Sequence, residues 1–206
     1  MLEKFNFFAV TLLMFSFASV ARAETCPPVL KADAKAYQAL KVAAISQKGE
    51  VSDKISGFSL DSHKNKVTVV RLFATWCPYC KKDLQELNSK FTPLMKDKKL
   101  DVVLVSFFSR RENPETIELF MKNGAKELGV EKENFTWLHS NLKTPDVKAL
   151  EAKKGEKLFP GMEGVPYGMV FDGKGRLRFQ GHFTGEEAVQ AKHYEMIESL
   201  ASGKCS

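Results

Sequence analysis

Residues 66–80 read KVTVVRLFATWCPYC, and this stretch decides the fold. Val67, Val69, Val70, Leu72 and Phe73 leave almost no polar alternation between Lys66 and Thr75. Such a run predicts a strand buried on both faces, as in a parallel or mixed central sheet. The WCPYC segment follows at once. Leu84, Leu87 and Phe91 then recur at helical spacing, until Pro93 kinks or ends the helix. Two cysteines three residues apart are thereby expected at the junction of a buried strand and a helix.

Working outward, Asp101 to Phe108 (DVVLVSFF) predicts a second buried strand. Asn113-Pro114 starts a helix, with Asn113 as cap and Pro114 at the first helical position, and Ile117, Phe120 and Met121 form its apolar face. Phe135 to His139 is a weaker strand, and Thr144-Pro145 opens a short helix that Gly155 closes. Residues 156–163 read as a loop. Tyr167 to Asp172 and Leu177 to Gln180 are strands joined by the turn Asp172-Gly-Lys-Gly175. Thr184 and Glu187 make a capping box for a last helix whose Val189, Ile197 and Leu200 face inward. Upstream, Phe58 to Leu60 is a short strand, while 24–56 is expected as an N-terminal helical extension, Ala32 to Ile45 being rich in Ala, Lys and Leu. The order predicts an α/β fold, a central mixed sheet flanked by helices.

At a helix start the first N–H groups lack partners and the dipole is positive. Cys77 is therefore favoured as a thiolate, and Cys80, one turn in and expected to lie deeper, is set to attack a mixed disulfide on Cys77. Pro78 suits the turn. A zinc site would need a second cysteine pair or suitably spaced histidines. His63, His139, His182 and His193 are scattered, so neither a metal nor another cofactor is expected. A reading from a different class remains, a module holding soft Cu(I) between the two thiolates.

Met1 to Ala23 reads as a secretory signal: Lys4, then an apolar run from Phe7 to Val20, then Ala21-Arg22-Ala23 as a small-x-small cleavage site. The run is shorter than the roughly 20 residues of a spanning helix, so no membrane span is expected after cleavage. An uncleaved anchor and lipidation at Cys26 are the alternatives. Export makes disulfides persistent. Cys26 and Cys205 lie near the two ends of the exported chain and either staple them or stay as separate thiols. The chain carries 31 Lys+Arg against 25 Asp+Glu, interleaved with no long like-charge run, which argues against nucleic acid as a partner.

Residues 57–185 resemble the thioredoxin-like fold and, within it, the exported TlpA-type thiol–disulfide oxidoreductases. The likeness is carried by FSLDS at 58–62, RLFATWCPYCKKDL at 71–84, DVVLVS at 101–106 and GVPYGMVFDGKGRL at 164–177. It implies a domain over 57–206 and a redox-active Cys77–Cys80 pair. It implies that Val165-Pro166 is a cis-proline loop against that pair, and that Trp76, Pro78, Tyr79, Val165 and Pro166 meet the substrate. Asp83 stands where these proteins often carry an acid, and is either the proton acceptor for Cys80 or a first-turn acid favoured by the helix dipole. The resemblance further implies a periplasmic protein acting on protein thiols and disulfides. It leans toward a reductase of the cytochrome c maturation type, reset by a membrane electron carrier, with oxidase and isomerase as alternatives. Arg71 departs from the pattern: six residues before Cys77, it must be paired or reach solvent, because a buried unpaired cation is costly.

Overall fold

The computed structural model describes residues 26–31, 37, 40–106, 112–140, 159–183 and 187–205. Among the described residues seven strands form one sheet: β1 (Lys41–Ile45), β2 (Val51–Gly57), β3 (Val67–Phe73), β4 (Leu100–Ser106), β5 (Phe135–His139), β6 (Tyr167–Phe171) and β7 (Leu177–His182). Their order is β2-β1-β5-β4-β3-β6-β7. β3, β4 and β5 run parallel, while β6, β7, β1 and β2 join antiparallel. Among the described residues the helices are α1 (Pro78–Lys96), α2 (Pro114–Leu119) and α3 (Glu187–Ala201); a wider turn, Phe120–Gly124, and a helical turn, Ala125–Glu127, prolong α2.

Every residue of β3 is buried, because apolar clusters cover both sides of the sheet. On one side Val69 and Phe73 pack with Leu84, Leu87 and Phe91 of α1 and with Ile197 and Leu200 of α3. On the other, Val70 and Leu72 pack with Val103, Val105, Met169 and Phe171. Arg71 shares the helix-covered face with Val69 and Phe73 by the two-residue period of a strand. Asn113 caps α2 reciprocally: its side chain accepts the Thr116 N–H at 2.9 Å, and Thr116 Oγ1 accepts the Asn113 N–H at 2.9 Å. Pro93 does not end α1; it sits in the final turn, and the helix closes at Lys96.

Three local expectations change. Of the expected helical extension over 24–56, the described part from Lys41 onward instead supplies β1 and β2, a hairpin added to the sheet through β5, while residues 32–36, 38 and 39 lie outside the described residues. Val42, Ala43 and Ile45 of β1 are buried, so tertiary pairing outweighs the helix propensity of that Ala-rich stretch. Phe58 to Leu60 is not a strand: Phe58 leaves the end of β2, donates its N–H to Leu40 O at 2.8 Å and is buried. Val189 is 43 % exposed rather than inward, whereas Ile197 and Leu200 are buried. The short helix at 144–155 and Thr184 of the capping box lie outside the described residues. Among the described residues no helix is long and apolar enough to cross a membrane.

Cys26 and Cys205 form a disulfide with Cα atoms 5.4 Å apart, closing a sequence separation of 179 residues. Closing so long a loop restricts the unfolded chain. Replacing both cysteines by serine is expected to lower unfolding stability by about 2–5 kcal/mol in urea titration; a loss below about 1 kcal/mol would show that the staple adds little.

Candidate active site

Cys77 is the N-cap of α1 and Pro78 its first residue. The two cysteines form a disulfide with Cα atoms 5.2 Å apart. Cys77 Sγ accepts the N–H of Cys80 at 3.1 Å, one of the orphan donors of the helix start. Each residue is 3 % exposed, so burial does not place Cys80 deeper as expected. What separates them is position: Cys77 caps the helix, and its Sγ lies 3.7 Å from the Val165 carbonyl oxygen. The Val165–Pro166 peptide is cis. Beside this buried pair Trp76 is 44 % and Tyr79 67 % exposed, an apolar surface at the rim.

Two polar clamps hold the loops that meet here. Glu112 accepts the Thr75 N–H at 3.1 Å, the Thr75 hydroxyl at 2.9 Å and the Ser106 hydroxyl at 2.9 Å, tying the ends of β3 and β4 together just before the cysteines. His182 lies 3.0 Å from the Pro166 carbonyl through Nδ1 and 3.2 Å from the Glu163 N–H through Nε2. Nε2 also lies 3.2 Å from the Gly161 carbonyl oxygen, so the ring gathers residues 161, 163 and 166 of the proline loop. Neither role was legible in the sequence. Glu112 belongs to no motif, and a strand-end histidine carries no local signal for a loop clamp.

Beneath the disulfide, Arg71 is 1 % exposed, and its Nε donates to Asp83 Oδ2 at 2.9 Å. Asp83 lies one helical turn beyond Cys80, on the same face of α1. Tyr194 of α3 donates to Asp83 Oδ1 at 3.0 Å. The guanidinium lies over the Phe183 ring, 3.2 Å from its centroid. Its Nη1 and Nη2 are buried without a hydrogen-bond partner among the described residues. Gly168, opposite Arg71 in β6, leaves room for this, since a Cβ there would strike Phe183 and Nη1. Burial and the neighbouring Asp83 push the Tyr194 hydroxyl well above its ordinary value. His193 packs at a tilt against Phe179 and Phe183; burial and the Arg71 cation lower its pKa to about 4. Among the described residues no three His, Cys, Asp or Glu side chains gather as a metal site.

The Redoxin family model matches residues 31–181. No curated protein matches the sequence significantly. Among solved structures, a hypothetical protein from Sinorhizobium meliloti is 17 % identical at TM-score 0.53, covering 81 % of this chain and 83 % of its own. A protein described as a disulfide isomerase from Bacteroides thetaiotaomicron is 17 % identical at TM-score 0.50, covering 79 % and 86 %. One described as a thiol:disulfide interchange protein DsbE from Chlorobium tepidum is 15 % identical at 0.50, covering 80 % and 95 %. These likenesses are ones of fold, and the fold is thioredoxin-like.

Breaking a buried pair leaves an uncompensated charge. Arg71→Met is therefore expected to cost about 3–5 kcal/mol in urea unfolding, and the joint Arg71→Met, Asp83→Leu change to recover most of it. Equal losses in both variants would show that the charges are not coupled. His193 adds a pH dependence. Its folded pKa lies below its unfolded value near 6.5, so the unfolded chain binds the proton first. Stability is then fully present above about pH 6.5 and falls as pH drops toward 4. Unfolding curves across that range should show a shallower fall in His193→Phe; an unchanged slope would remove His193 as the cause.

Proposed function

The chain belongs to the Redoxin family and is a thiol–disulfide oxidoreductase, and from that premise we propose an exported, periplasmic reductase of protein disulfides. The observation that supports this most directly is the Cys80 N–H on Cys77 Sγ at the start of α1. A helix start that donates to sulfur stabilises Cys77 as the attacking thiolate. In the dithiol form Cys77 attacks one sulfur of a client disulfide. That S–S bond breaks, one client sulfur leaves as a thiolate and takes up a proton, and a Cys77–client disulfide forms. That proton comes from Cys80, which then attacks Cys77 Sγ while Asp83 keeps its contacts to Arg71 and Tyr194. The second client thiol departs and the Cys77–Cys80 disulfide closes, two electrons having passed to the client. Trp76, Pro78 and Tyr79 offer the contact rim, and Val165-Pro166 offers a backbone edge to an extended client segment. Export rests on Met1 to Ala23. Cytochrome c apoprotein is the client class suggested by the family resemblance, with a membrane electron carrier restoring the dithiol.

Equilibration of the pair against glutathione tests the direction. A reduction potential near about −270 mV or lower is expected for a donor of electrons; a value near about −120 mV would make the protein an oxidant of its clients and overturn the reductase reading. Cys80→Ser should accumulate a mixed disulfide on Cys77, and Cys77→Ser should lose exchange altogether. Retained exchange in Cys77→Ser, or tight stoichiometric Cu(I) binding with no exchange in the unmodified protein, would remove the mechanism.

A further inference from the structure

The end of the sheet remote from the disulfide carries a second feature. A cleft of about 370 Å³ opens between the start of β3, the turn before β4 and the β6–β7 turn. Lys98, Lys99, Lys174 and Arg176 line it. Among the described residues its one carboxylate, Asp172, is already engaged by Arg176 Nε at 2.8 Å and Arg178 Nη1 at 3.3 Å. Lys99 reaches Asp97 only at 4.0 Å, with both side chains more than half exposed. Lys98 and Lys174 make no ion pair among the described residues. Among the described residues the cleft therefore holds more positive charge than its acids offset.

The backbone sharpens this. Among the described residues two non-glycines have positive φ, Asn65 at 67° and Lys98 at 56°, and both line this cleft. Lys98 stands just past the end of α1, where glycine is the least strained choice. A cation occupies that place instead, and unfavourable backbone positions concentrate where function requires them.

Location supplies the partner. β3 has seven residues, roughly 23 Å at about 3.3 Å each, running from Val67 at the cleft toward Cys77 at the opposite end. Cys205 lines the same cleft and is bonded to Cys26. Residues 21–25, at most roughly 18 Å of chain, lie between Cys26 and the apolar run Phe7 to Val20. In the uncleaved form, where that run stays as an anchor, the disulfide ties the start of the described chain, and with it the anchoring membrane, to the cationic end of the domain.

We infer that this end docks on membranes rich in anionic phospholipid. The lysines and Arg176 face the headgroup phosphates, and the Cys77–Cys80 end points away from the bilayer. The attraction is sequence-independent, amounts to about fivefold in partitioning per basic residue, and fades with salt because exposed charges are screened. It holds whichever way the dithiol passes electrons.

The experiment is lysine footprinting of the full chain on phosphatidylglycerol and on phosphatidylcholine vesicles, read by mass spectrometry after an amine-reactive pulse. An apolar tether would hold the chain to both lipids alike, so the difference between them reports on the cationic end. Lys98, Lys99 and Lys174 should be protected about fivefold or more on phosphatidylglycerol at low salt and not on phosphatidylcholine. Lys82, beside the cysteines, should label equally on both. Equal labelling of the three lysines on the two lipids, as a protein partner in place of lipid would give, overturns the proposal, and so does protection of Lys82 to the same degree. The combined Lys98→Glu, Lys99→Glu, Lys174→Glu variant should lose the phosphatidylglycerol-dependent binding by about a hundredfold while keeping the potential of the Cys77–Cys80 pair. Undiminished binding in that variant counts against it.

Discussion

Arg71 sits in the middle of a strand with no solvent on either face, so its charge has to be met inside the protein. The answer involves three other elements. Asp83 comes from α1, Tyr194 from α3, and Phe183 follows β7 to offer its ring to the guanidinium. Each contact restrains where its element can lie relative to β3. Since Cys80 is one turn before Asp83, the pair also restrains the helix that carries the cysteines. A buried pair of this kind contributes little net stability against an apolar pair of the same shape. Its effect is on placement: α1 rotated about its axis would withdraw Asp83 from Arg71.

The other polar contacts around the cysteines act on loops rather than on the core. Glu112 gathers the ends of β3 and β4, and His182 gathers the segment before β6. Between them they fix the two backbone stretches that approach Cys77, the Thr75–Trp76 turn and the Val165–Pro166 loop. Trp76 and Tyr79 remain exposed beside a disulfide that is almost wholly buried. The surface beside the disulfide is therefore an aromatic rim, with the Val165 carbonyl next to Cys77 Sγ.

The two ends of β3 serve different chemistry. One end delivers thiols to a helix start; the other ends in a cleft whose basic side chains exceed its acids. The Cys26–Cys205 bridge joins the start of the described chain to the second end.

What the amino-acid sequence determined by itself was whatever depends on near neighbours. The unbroken apolar run of β3, the cysteine pair opening α1, the Asn113 cap and the turn at 172–175 follow from periods of two and 3.6 and from the residues that start or stop them. The same reasoning demanded a partner for Arg71 without being able to say which. Tertiary structure decided the rest, because those features join residues far apart in the chain. Tyr194 reaches Asp83 across 111 positions, and Cys26 meets Cys205 across 179. Lys41–Ile45 reads as helix by composition and becomes a strand only because β5 and β2 accept its backbone hydrogen bonds. Lys98, Lys174 and Arg176 are scattered in the chain, and form one cationic cleft only because β4 and the β6–β7 turn flank β3.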